Sequence, residues 1–367
     1  MAVSRTDSIG AKAQAGSGAA AGVSRSAPRA GSEGPLEGEH LAVSVVVPVK
    51  NEEKSILRLL AGLIAQTCQP SEIVITDGGS TDRTKELIRS WQENSPVPIV
   101  LVEAEQALPG QGRNLAIARA RNQWLACIDA GTEPQRDWLA ELTATAQHTP
   151  GARVIYGRWE PVTDTYFTEC AAITYVPRTT HARSIASCLL HRDAWAAAGG
   201  FREDLRSGED LLFFRGLEKA GVTDAHSERA VVNWELQASV CPTFQRFTVY
   251  SRNGMRAGLA REWQYNVARL YLLMLIPVLL ALWFWPLLLV PPTILLLRAE
   301  RRVRRWYCAQ SPQSVWREML NPRRVLTVAW INVVIDFATF CGVWQWFVHD
   351  RSVPAKEWRP TNHSSSA

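Results

Sequence analysis

The sequence predicts an α/β protein with a doubly wound, mainly parallel sheet and helices on both faces of that sheet. Short apolar runs alternate with amphipathic segments from Leu41 onward, which is typical of parallel strands joined by right-handed helical crossovers. Two long apolar runs follow, at residues 270–297 and 325–348. They predict that transmembrane or re-entrant helices come after the α/β domain.

The first four strands are predicted from short apolar runs, with helices between them. The β-branched run Val43–Val49 indicates a strand covered on both faces, and apolar residues at helical spacing over 56–64 indicate the helix after it. Further strands are expected at 72–76, 98–103 and 124–129, with helices after "STDR" and at "GRNLAIARA".

The charge and the cysteine content exclude several classes of protein. The chain has 40 basic and 35 acidic residues, a formal charge of +5, and we therefore expect no nucleic-acid partner. Its seven cysteines are scattered without a CxxC pair, which argues against a disulfide framework or a zinc site. Reduced cysteines suit a chain that faces the cytoplasm.

Composition also sets the expected domain boundaries. Residues 1–40 are rich in Ala, Gly and Ser and lack the apolar stretch of a secretory signal, so we expect a disordered tail there. The remaining expected parts are an α/β domain at 41–243, an amphipathic basic connector at 244–269, membrane segments at 270–349 with a basic loop at 298–324, and a flexible tail at 350–367.

The first apolar run fits either a single membrane span or a hairpin. As a straight helix its 28 residues would be about 42 Å long, more than a membrane core of about 30 Å requires. Four prolines interrupt the run and arginines flank both of its ends, which favours a kinked or re-entrant hairpin. The second run carries Asp336 at its middle, which indicates either a polar contact within a membrane or a helix that does not span. We expect the inner (plasma) membrane, with the α/β domain in the cytoplasm.

Unusual polar clusters follow the predicted strands, where ligands bind in sheets of this kind. They are "KNEE", "DGGSTD", "GQGRN" and "DAGTE". Glu52 and Asp77 offer carboxylates that accept a hydrogen bond from a ring N–H, which uracil, thymine and guanine have. Gly110 and Gly112 allow backbone N–H groups to approach a phosphate, and Arg113 adds positive charge. An ordinary turn is the alternative for this loop.

Two further acidic positions suggest chemistry. Asp129 ends its predicted strand and could bind a divalent cation that bridges diphosphate oxygens, since Mg²⁺ needs only one or two carboxylates when phosphates and water complete its shell. A turn former is the alternative for this residue. Glu209 and Asp210 lie in the "GED" segment before a predicted helix, where acids are also favoured by the helix dipole alone.

The clusters together resemble a known family. The segments "VSVVVPVKNEE", "SEIVITDGGSTDRTKELI", "GQGRNLAIARARNQWLACIDAG" and "HRDAWAAAGGFREDLRSGEDLLFFRGLEKAG" occur in this order over roughly residues 42–254, with the apolar runs after them. The ordered set resembles the inverting nucleotide-sugar glycosyltransferases of family two. The resemblance implies the GT-A fold for residues 41–243.

The resemblance also implies a set of site residues and a divalent cation, Mg²⁺ or Mn²⁺. Asp129 would be the first acid of the family's metal-binding Asp-x-Asp, and Asp210, assisted by Glu209, would be the catalytic base. The nucleotide-sugar site would be formed by Pro48, Asn51, Glu52, Asp77, Arg113 and Asn114.

The sequence departs from the family pattern at two positions. Gly131 replaces the second acid of Asp-x-Asp, and Gly78 replaces one acid of the usual Asp-Asp-Gly-Ser. If the backbone after Asp129 stays extended, Glu133 shares a face with Asp129 and can be the second metal ligand. Otherwise water takes that coordination position.

The sequence therefore predicts a membrane-bound inverting glycosyltransferase. It would move a sugar from a nucleotide diphosphate sugar to a lipid-linked or cell-envelope glycan acceptor. No Gln-x-x-Arg-Trp segment occurs near the apolar runs, which favours addition of one sugar per encounter over processive polymerisation. The alternative is a catalytically silent nucleotide-sugar-binding or scaffolding membrane protein of the same fold, which Gly131 favours and the Glu209–Asp210 pair disfavours.

Overall fold

Eight strands form one sheet in the computed structural model, which describes residues 41–176, 182–308, 319 and 321–351. The tail predicted at 1–40 and nearly all of the tail predicted at 350–367 lie outside the described residues. The strands are β1 Val43–Val49, β2 Glu72–Asp77, β3 Ile99–Glu103, β4 Trp124–Ile128, β5 Thr132–Pro134, β6 Val154–Val162, β7 Ser187–His191 and β8 Asp224–Glu235. The four predicted strands are confirmed within one residue at each end.

The sheet is parallel in its first half and mixed in its second. Its strand order is β3-β2-β1-β4-β7-β6-β8-β5. The ladders that join β3, β2, β1 and β4 are parallel, whereas β7 pairs antiparallel with both β4 and β6. β5 is antiparallel to β8, and β8 is parallel to β6. The prediction of a mainly parallel sheet therefore holds for β1–β4, and their carboxyl ends meet at one edge.

Helices cover both faces of this sheet. They are α1 Ile56–Ile64, α2 Thr84–Gln92, α3 Pro109–Arg119, α4 Trp138–His148, α5 Tyr166–Tyr175, α6 Arg192–Ala197, α7 Glu209–Lys219, α8 Val240–Arg256, α9 Gln264–Leu280, α10 Val290–Cys308 and α11 Pro322–His349, with a 3₁₀ helix at Trp285–Leu289. Val45 and Val47 of β1 pack on the side of α1, and Val46 packs on the side of α3. This alternation explains the unbroken apolar run, because both sides of a covered strand are buried.

A buried carboxylate forms hydrogen bonds between neighbouring segments at the edge of the sheet opposite the polar clusters. Glu72 is 1% exposed and accepts hydrogen bonds from Ser44 Oγ at 2.7 Å, from the Arg121 backbone N–H at 2.7 Å and from Arg121 Nε at 2.9 Å. Burial alone would raise the pKa of Glu72, but these donors lower the pKa below its ordinary value. The network joins β1, β2 and the segment between α3 and β4.

The C-terminal helices pack directly on the α/β part. One apolar cluster contains Cys170 and Ile173 of α5 together with Val303 of α10 and Ile331 of α11. Glu169 of α5 accepts a hydrogen bond from Tyr307 Oη at 2.7 Å. Helix α8 runs through residue 243, so the predicted boundary there does not coincide with a break in the packing.

The first apolar run is broken into two helices, as the hairpin interpretation requires. Helix α9 ends at Leu280 and α10 begins at Val290, and the tip between them carries Trp283, which is 82% exposed. Tyr271 of α9 and Arg298 of α10 both contact the carboxylate of Asp336, so the two helices run side by side. The arginine-rich segment 298–305 is helical, and the loop predicted to begin at 298 is therefore wrong for these residues.

Helix α11 passes the length and composition test for a membrane span. Its 28 residues are apolar enough to cross a bilayer, but just over half of its most apolar stretch is buried against the protein. Asp336 at its middle is fully buried and accepts hydrogen bonds from Arg298 Nη2 at 3.1 Å and Tyr271 Oη at 3.2 Å. Asp336 therefore makes a polar contact within the helical layer.

Replacing Glu72 is expected to weaken the fold in a pH-dependent way. Glu72→Gln should lower the free energy of unfolding by about 1–3 kcal/mol at pH 7, because it leaves buried donors without a charged acceptor. The lowered pKa of Glu72 stabilises the fold above the unfolded-state pKa, and this contribution is lost as the pH falls through the folded-state pKa. The thermal unfolding midpoints of the two proteins should therefore differ most at pH 7, and the difference should shrink as the pH falls below the ordinary range of a glutamate, about 4.

Glu103→Gln is the matched control for this experiment. Glu103 also lies at the end of a strand but is half-exposed, and its ion-pair partners among the residues described by the structure are Arg89 and Lys85 on the surface. Such pairs contribute about 0–1 kcal/mol. Equal destabilisation by the two substitutions would contradict the role assigned to the Glu72 network.

Candidate active site

A cavity of about 700 Å³ opens at the carboxyl edge of the parallel strands. Pro48 of β1 and Glu52 after that strand line the cavity, and Asp129 lines it after β4. Glu209 and Asp210, at the start of α7, line it from another direction. Five of the sequence-predicted residues therefore share one cavity with Arg113, although they come from segments up to 160 residues apart. The size lies in the range of about 300–1,000 Å³ that is usual for ligand pockets.

Arg113 is the central charge of this cavity. Its side chain is buried, at 3% exposure for the residue, and donates from Nη2 to Asp129 Oδ1 at 2.6 Å and from Nη1 to Glu209 Oε1 at 2.8 Å. The guanidinium also lies 5.6 Å from the centre of the Phe201 ring. Arg113 thus holds an acid of the β4 end and an acid of the α7 start in fixed positions.

Burial and neighbouring charges shift the pKa values of the ionisable groups in this cluster in opposite directions. Burial alone would lower the pKa of Arg113, but the carboxylates of Asp129 and Glu209 raise it well above its ordinary value. Burial raises the pKa of Glu209 despite the nearby guanidinium. It also raises the pKa of Asp210, whose Oδ1 accepts the Leu211 N–H at 2.8 Å. Asp210 is only partly buried and lies on the open side of the cluster, where it lines the cavity.

Gly208 places the two acids at the start of α7. It is the N-cap residue and has a φ of 86°, a conformation that favours glycine. The chain therefore turns sharply before Glu209, and the acids occupy the first turn, where the helix dipole stabilises negative charge.

Asp77 shapes the loop after β2. Its Oδ1 accepts the N–H groups of Gly79 at 3.0 Å and of Ser80 at 2.9 Å. Its Oδ2 is buried and has no hydrogen-bond partner among the described residues. Thr76 and Gly78, on either side of it, line the cavity. Asp77 itself is not part of the cavity lining, and its predicted contact to a base N–H remains a prediction.

The side chains of the two asparagines predicted in the nucleotide-sugar site form hydrogen bonds within the protein. Asn51, at a φ of 57°, accepts the Thr81 N–H at 2.8 Å and is not part of the cavity lining. Asn114 donates to Phe201 O at 2.9 Å and accepts the Trp195 indole N–H at 3.1 Å. The structure therefore gives both side chains structural contacts, and their predicted contacts to the nucleotide remain predictions.

The turn after Asp129 separates it from Glu133. The Thr132 N–H donates to Asp129 O at 3.1 Å, which closes a four-residue turn, so the extended backbone assumed for a shared face is absent. Glu133 lies 3.6 Å from Arg58 Nε and is not part of the cavity lining. The described residues contain no group of three or more His, Cys, Asp or Glu side chains arranged for a metal. The geometry thus leaves Asp129 as the available carboxylate at this turn.

The glycines of "GQGRN" lie inside a helix and not in a phosphate-binding turn. Helix α3 begins at Pro109, three residues before the predicted start. A Cβ on Gly110 would lie 1.9 Å from Arg202 O, and one on Gly112 would lie 3.1 Å from Pro48 Cβ. These glycines allow α3 to pack closely against β1 and the loop before α7, which brings Arg113 to the cavity.

Comparison with known proteins identifies this part of the chain. Residues 44–206 match the model of glycosyl transferase family 2. They form a family 2 domain. Relatives include the glycosyltransferase AglE of Haloferax volcanii, 27% identical over 201 residues that cover 50% of this chain and 64% of AglE. Another is the poly(ribitol-phosphate) β-N-acetylglucosaminyltransferase TarS of Staphylococcus aureus, 26% identical over 46% of this chain and 31% of TarS. The chain thus spans less than two thirds of either relative.

A solved structure confirms the fold of the family 2 domain. The mannosyltransferase PcManGT from Pyrobaculum calidifontis, in complex with GDP-Man and Mn²⁺, superposes with a TM-score of 0.51 at 18% sequence identity. The match covers 83% of this chain and 86% of the mannosyltransferase. The domain therefore has the predicted GT-A fold, and the match extends well beyond residues 44–206.

The two departures from the family pattern have different physical causes. A Cβ on Gly78 would lie 2.4 Å from Ala107 O, so no acid fits there without moving the backbone. Gly131 has no atom within 4 Å of a Cβ and does not have a left-handed φ. The space for a second acid therefore exists after Asp129, although this chain does not fill it.

The cavity also has an aromatic wall that sequence reasoning missed, most of it formed by residues after the matched range 44–206. Trp159 of β6, Trp234 of β8 and Trp263 line the cavity together with Arg246 and Tyr250 of α8. The Arg246 guanidinium lies 4.9 Å from the Trp234 ring centre and its Nε donates to Tyr250 Oη at 2.8 Å. Arg246 and Tyr250 are four residues apart, which places them on one face of a helix. This spacing is the sequence feature that could have indicated the wall.

Acids introduced at the two glycines are expected to have opposite effects on folding. Gly131→Asp should leave the thermal unfolding midpoint within about 2 °C of the natural protein, because the side chain enters open space. Gly78→Asp should lower the midpoint strongly or prevent accumulation of folded protein, because of the contact with Ala107 O. A stable Gly78→Asp variant, or an unstable Gly131→Asp variant, would contradict the packing described for these turns.

Proposed function

We propose that the family 2 domain transfers a sugar from a nucleotide diphosphate sugar to an acceptor hydroxyl with inversion at the anomeric carbon. The observation that carries this proposal is the Asp129–Arg113–Glu209 ion cluster, with Asp210 beside it, at the carboxyl edge of the sheet. A protein that only binds a nucleotide sugar has no use for a basic carboxylate in this position. Its relatives AglE and TarS are glycosyltransferases by name.

Asp210 is the base in the proposed reaction. The acceptor oxygen forms a bond to the anomeric carbon while the bond from that carbon to the diphosphate oxygen breaks, and the nucleoside diphosphate leaves with the electron pair. The Asp210 carboxylate takes the acceptor proton as the new bond forms. Its raised pKa suits this role, because a stronger base takes the proton more readily. Glu209 holds Arg113 and is thus a positioning residue.

The donor is proposed to lie along the β1, β2 and β4 ends. The unpaired Asp77 Oδ2 suits a base N–H, and the cavity lining includes Pro48 and Glu52. We keep uracil, thymine and guanine as the bases with a suitable ring N–H.

A divalent cation, Mg²⁺ or Mn²⁺, is proposed to accompany the donor. Asp129 would hold it, and when bound it would neutralise charge on the diphosphate. The local charges fit this requirement: three carboxylates surround one guanidinium, so a diphosphate alone would meet net negative charge. PcManGT, which shares the fold, was solved with GDP-Man and Mn²⁺. One protein carboxylate suffices when phosphate and water supply the other ligands.

The C-terminal helices are proposed to place the domain on the cytoplasmic side of the cell membrane. The hairpin tip exposes Leu282, Trp283, Phe284 and Trp285, an apolar and aromatic set suited to a membrane interface. From Tyr271 to Leu280 the hairpin extends about 14 Å, roughly half of a bilayer core. The arginines that follow on α10 favour the cytoplasmic face. A lipid-linked or envelope glycan acceptor fits this location.

Removing the base is expected to abolish transfer without removing donor binding. Asp210→Asn should lower kcat by about 10²–10⁴-fold, because the base contacts the acceptor proton and not the nucleotide. Membranes that contain the variant would be incubated with labelled nucleotide sugars, and label entering lipid or polymer would be measured. Donor affinity would be measured in parallel by calorimetry.

Glu218→Gln is the matched control, because Glu218 lies on the same helix and, within the described part of the chain, its ion-pair partner is Arg183 at the surface. It should leave both turnover and donor affinity unchanged. Unchanged turnover in Asp210→Asn would reassign the base, with Glu209 as the first candidate. Donor binding without turnover in the natural protein, across the full panel of sugars and membrane acceptors, would favour the silent binding protein.

Cation and donor are expected to bind cooperatively. With Asp129 as the protein ligand, Mn²⁺ should bind weakly alone and more tightly when a nucleoside diphosphate is present, and each should raise the affinity of the other by the same factor. Asp129→Ala should remove this coupling, whereas Glu133→Ala should preserve it because Glu133 lies outside the cavity. Calorimetric titration with and without the nucleotide measures both. Equal Mn²⁺ affinity in the two titrations, or full activity in a chelator, would contradict the role of Asp129.

A further inference from the structure

A second cavity of about 550 Å³ lies between the α/β part and the hairpin. Residues of α5, α8, α9, α10 and α11 surround it, among them Tyr175, Phe247 and Asn332. Glu262 and Trp263 line this second cavity and also line the catalytic cavity. One short segment before α9 therefore forms the wall between the two cavities.

The second cavity is positively charged. Arg269, Arg298 and Arg302 line it. The charge of Arg298 is offset by Asp336, which it contacts through both Nη atoms. Glu262, the acid in the lining, is paired with Arg215 outside the cavity. Among the residues that the structure describes, Arg269 and Arg302 have no acidic partner within ion-pair distance.

An unpaired guanidinium that faces a partly enclosed cavity calls for an anionic ligand. Arg302 is half-buried, and a buried charge without a counterion is costly. A guanidinium is planar and offers several N–H donors, a geometry that matches phosphate oxygens. The chemistry of this lining therefore favours a phosphate or diphosphate group.

The rim of the same cavity is apolar and faces outward. Leu270 and Leu273 of α9 line the cavity, and Leu273 is largely exposed. Leu272, which precedes Leu273, and Ile276, about one turn further along α9, are also exposed and continue this surface toward the hairpin tip. A ligand for this site should accordingly carry a hydrocarbon chain beside its phosphate group. A free phosphate would leave the rim uncovered, and a neutral lipid would leave Arg302 unpaired.

We propose that the second cavity binds the phosphate or diphosphate of an amphiphilic acceptor, and that the catalytic cavity receives the acceptor's glycan end. This proposal rests on the proposed glycosyl transfer. The hydrocarbon chain lies on the exposed face of α9, the phosphate contacts Arg269 and Arg302, and the glycan passes Trp263 to reach Asp210. The shared wall makes this path short, and the aromatic side chains of the catalytic cavity suit the flat faces of sugars.

Binding of a simple amphiphile tests the site without knowledge of the glycan. The full-length protein in neutral detergent would be titrated with farnesyl phosphate, with UDP, GDP and Mn²⁺ present in excess to fill the catalytic cavity. Farnesol, which lacks the phosphate, and inorganic phosphate, which lacks the chain, should each bind at least 10-fold more weakly. Arg302→Gln and Arg269→Gln should each weaken the binding of farnesyl phosphate about 10- to 100-fold, because each removes a charged hydrogen-bond donor.

Arg301→Gln is the matched control, because Arg301 is the neighbour of Arg302 on α10 but is exposed and outside the cavity lining. It should bind farnesyl phosphate as the natural protein does. Equal affinity in Arg302→Gln and Arg301→Gln would overturn the site. If inorganic phosphate binds as tightly as farnesyl phosphate, the proposal that the ligand carries a hydrocarbon chain is wrong. If phosphatidylglycerol displaces farnesyl phosphate equally well, the cavity is a structural lipid site and not an acceptor site.

Kinetics separate this proposal from the proposed function. In Arg302→Gln, the KM for the membrane acceptor should rise about 10- to 100-fold, while slow hydrolysis of the donor by water keeps its natural rate. Absence of donor binding by the natural protein would contradict the proposed glycosyl transfer itself. Normal donor hydrolysis with an unchanged acceptor KM in Arg302→Gln would contradict only the phosphate site.

Discussion

The buried ion cluster around Arg113 is the interaction on which the site depends. A guanidinium that is removed from water needs charged partners, and it finds them in Asp129 after β4 and Glu209 at the start of α7. The cluster therefore fixes three elements that are far apart in sequence. Asp210 is held at the open side of the cluster because it follows Glu209 directly. Loss of the guanidinium would leave two carboxylates facing each other without compensation.

Close packing of α3 makes this cluster achievable. Gly110 and Gly112 have no side chains, so the helix approaches Arg202 and Pro48 closely enough for the next residue, Arg113, to reach the cavity. Asn114 then binds the loop before α7 through Phe201 and thereby positions the start of that helix. Asn114, which resembles a ligand-binding position in sequence, thus has a structural role in orienting the segment that leads to the acids of α7.

The α/β part and the C-terminal helices act as one packed unit. Helix α8 supplies Arg246 and Tyr250 to the catalytic cavity and also packs on α11, where Ser251 Oγ donates to Thr339 O at 2.8 Å. The segment at Glu262 and Trp263 separates the catalytic cavity from the basic one. In the proposed function, membrane insertion and catalysis are therefore coupled by direct contact. A cut at residue 243 would remove part of the cavity wall along with the hairpin.

Local periodicity predicted β1–β4 and the gathering of polar residues at their carboxyl ends, and the proline positions favoured a break in the first apolar run. It did not reveal β5–β8, since strands such as "DAHSERAVVNWE" are partly exposed and gain their pairing from distant segments. Whether a polar side chain already has a hydrogen-bond or ion-pair partner within the protein is seen in the three-dimensional structure and not in the sequence. Asn51 and Asn114 are bound by distant groups and Glu133 is turned away, whereas Asp77 keeps one free oxygen. Hydrogen-bond partners and close contacts come from residues far apart in the chain, and local pattern does not contain them.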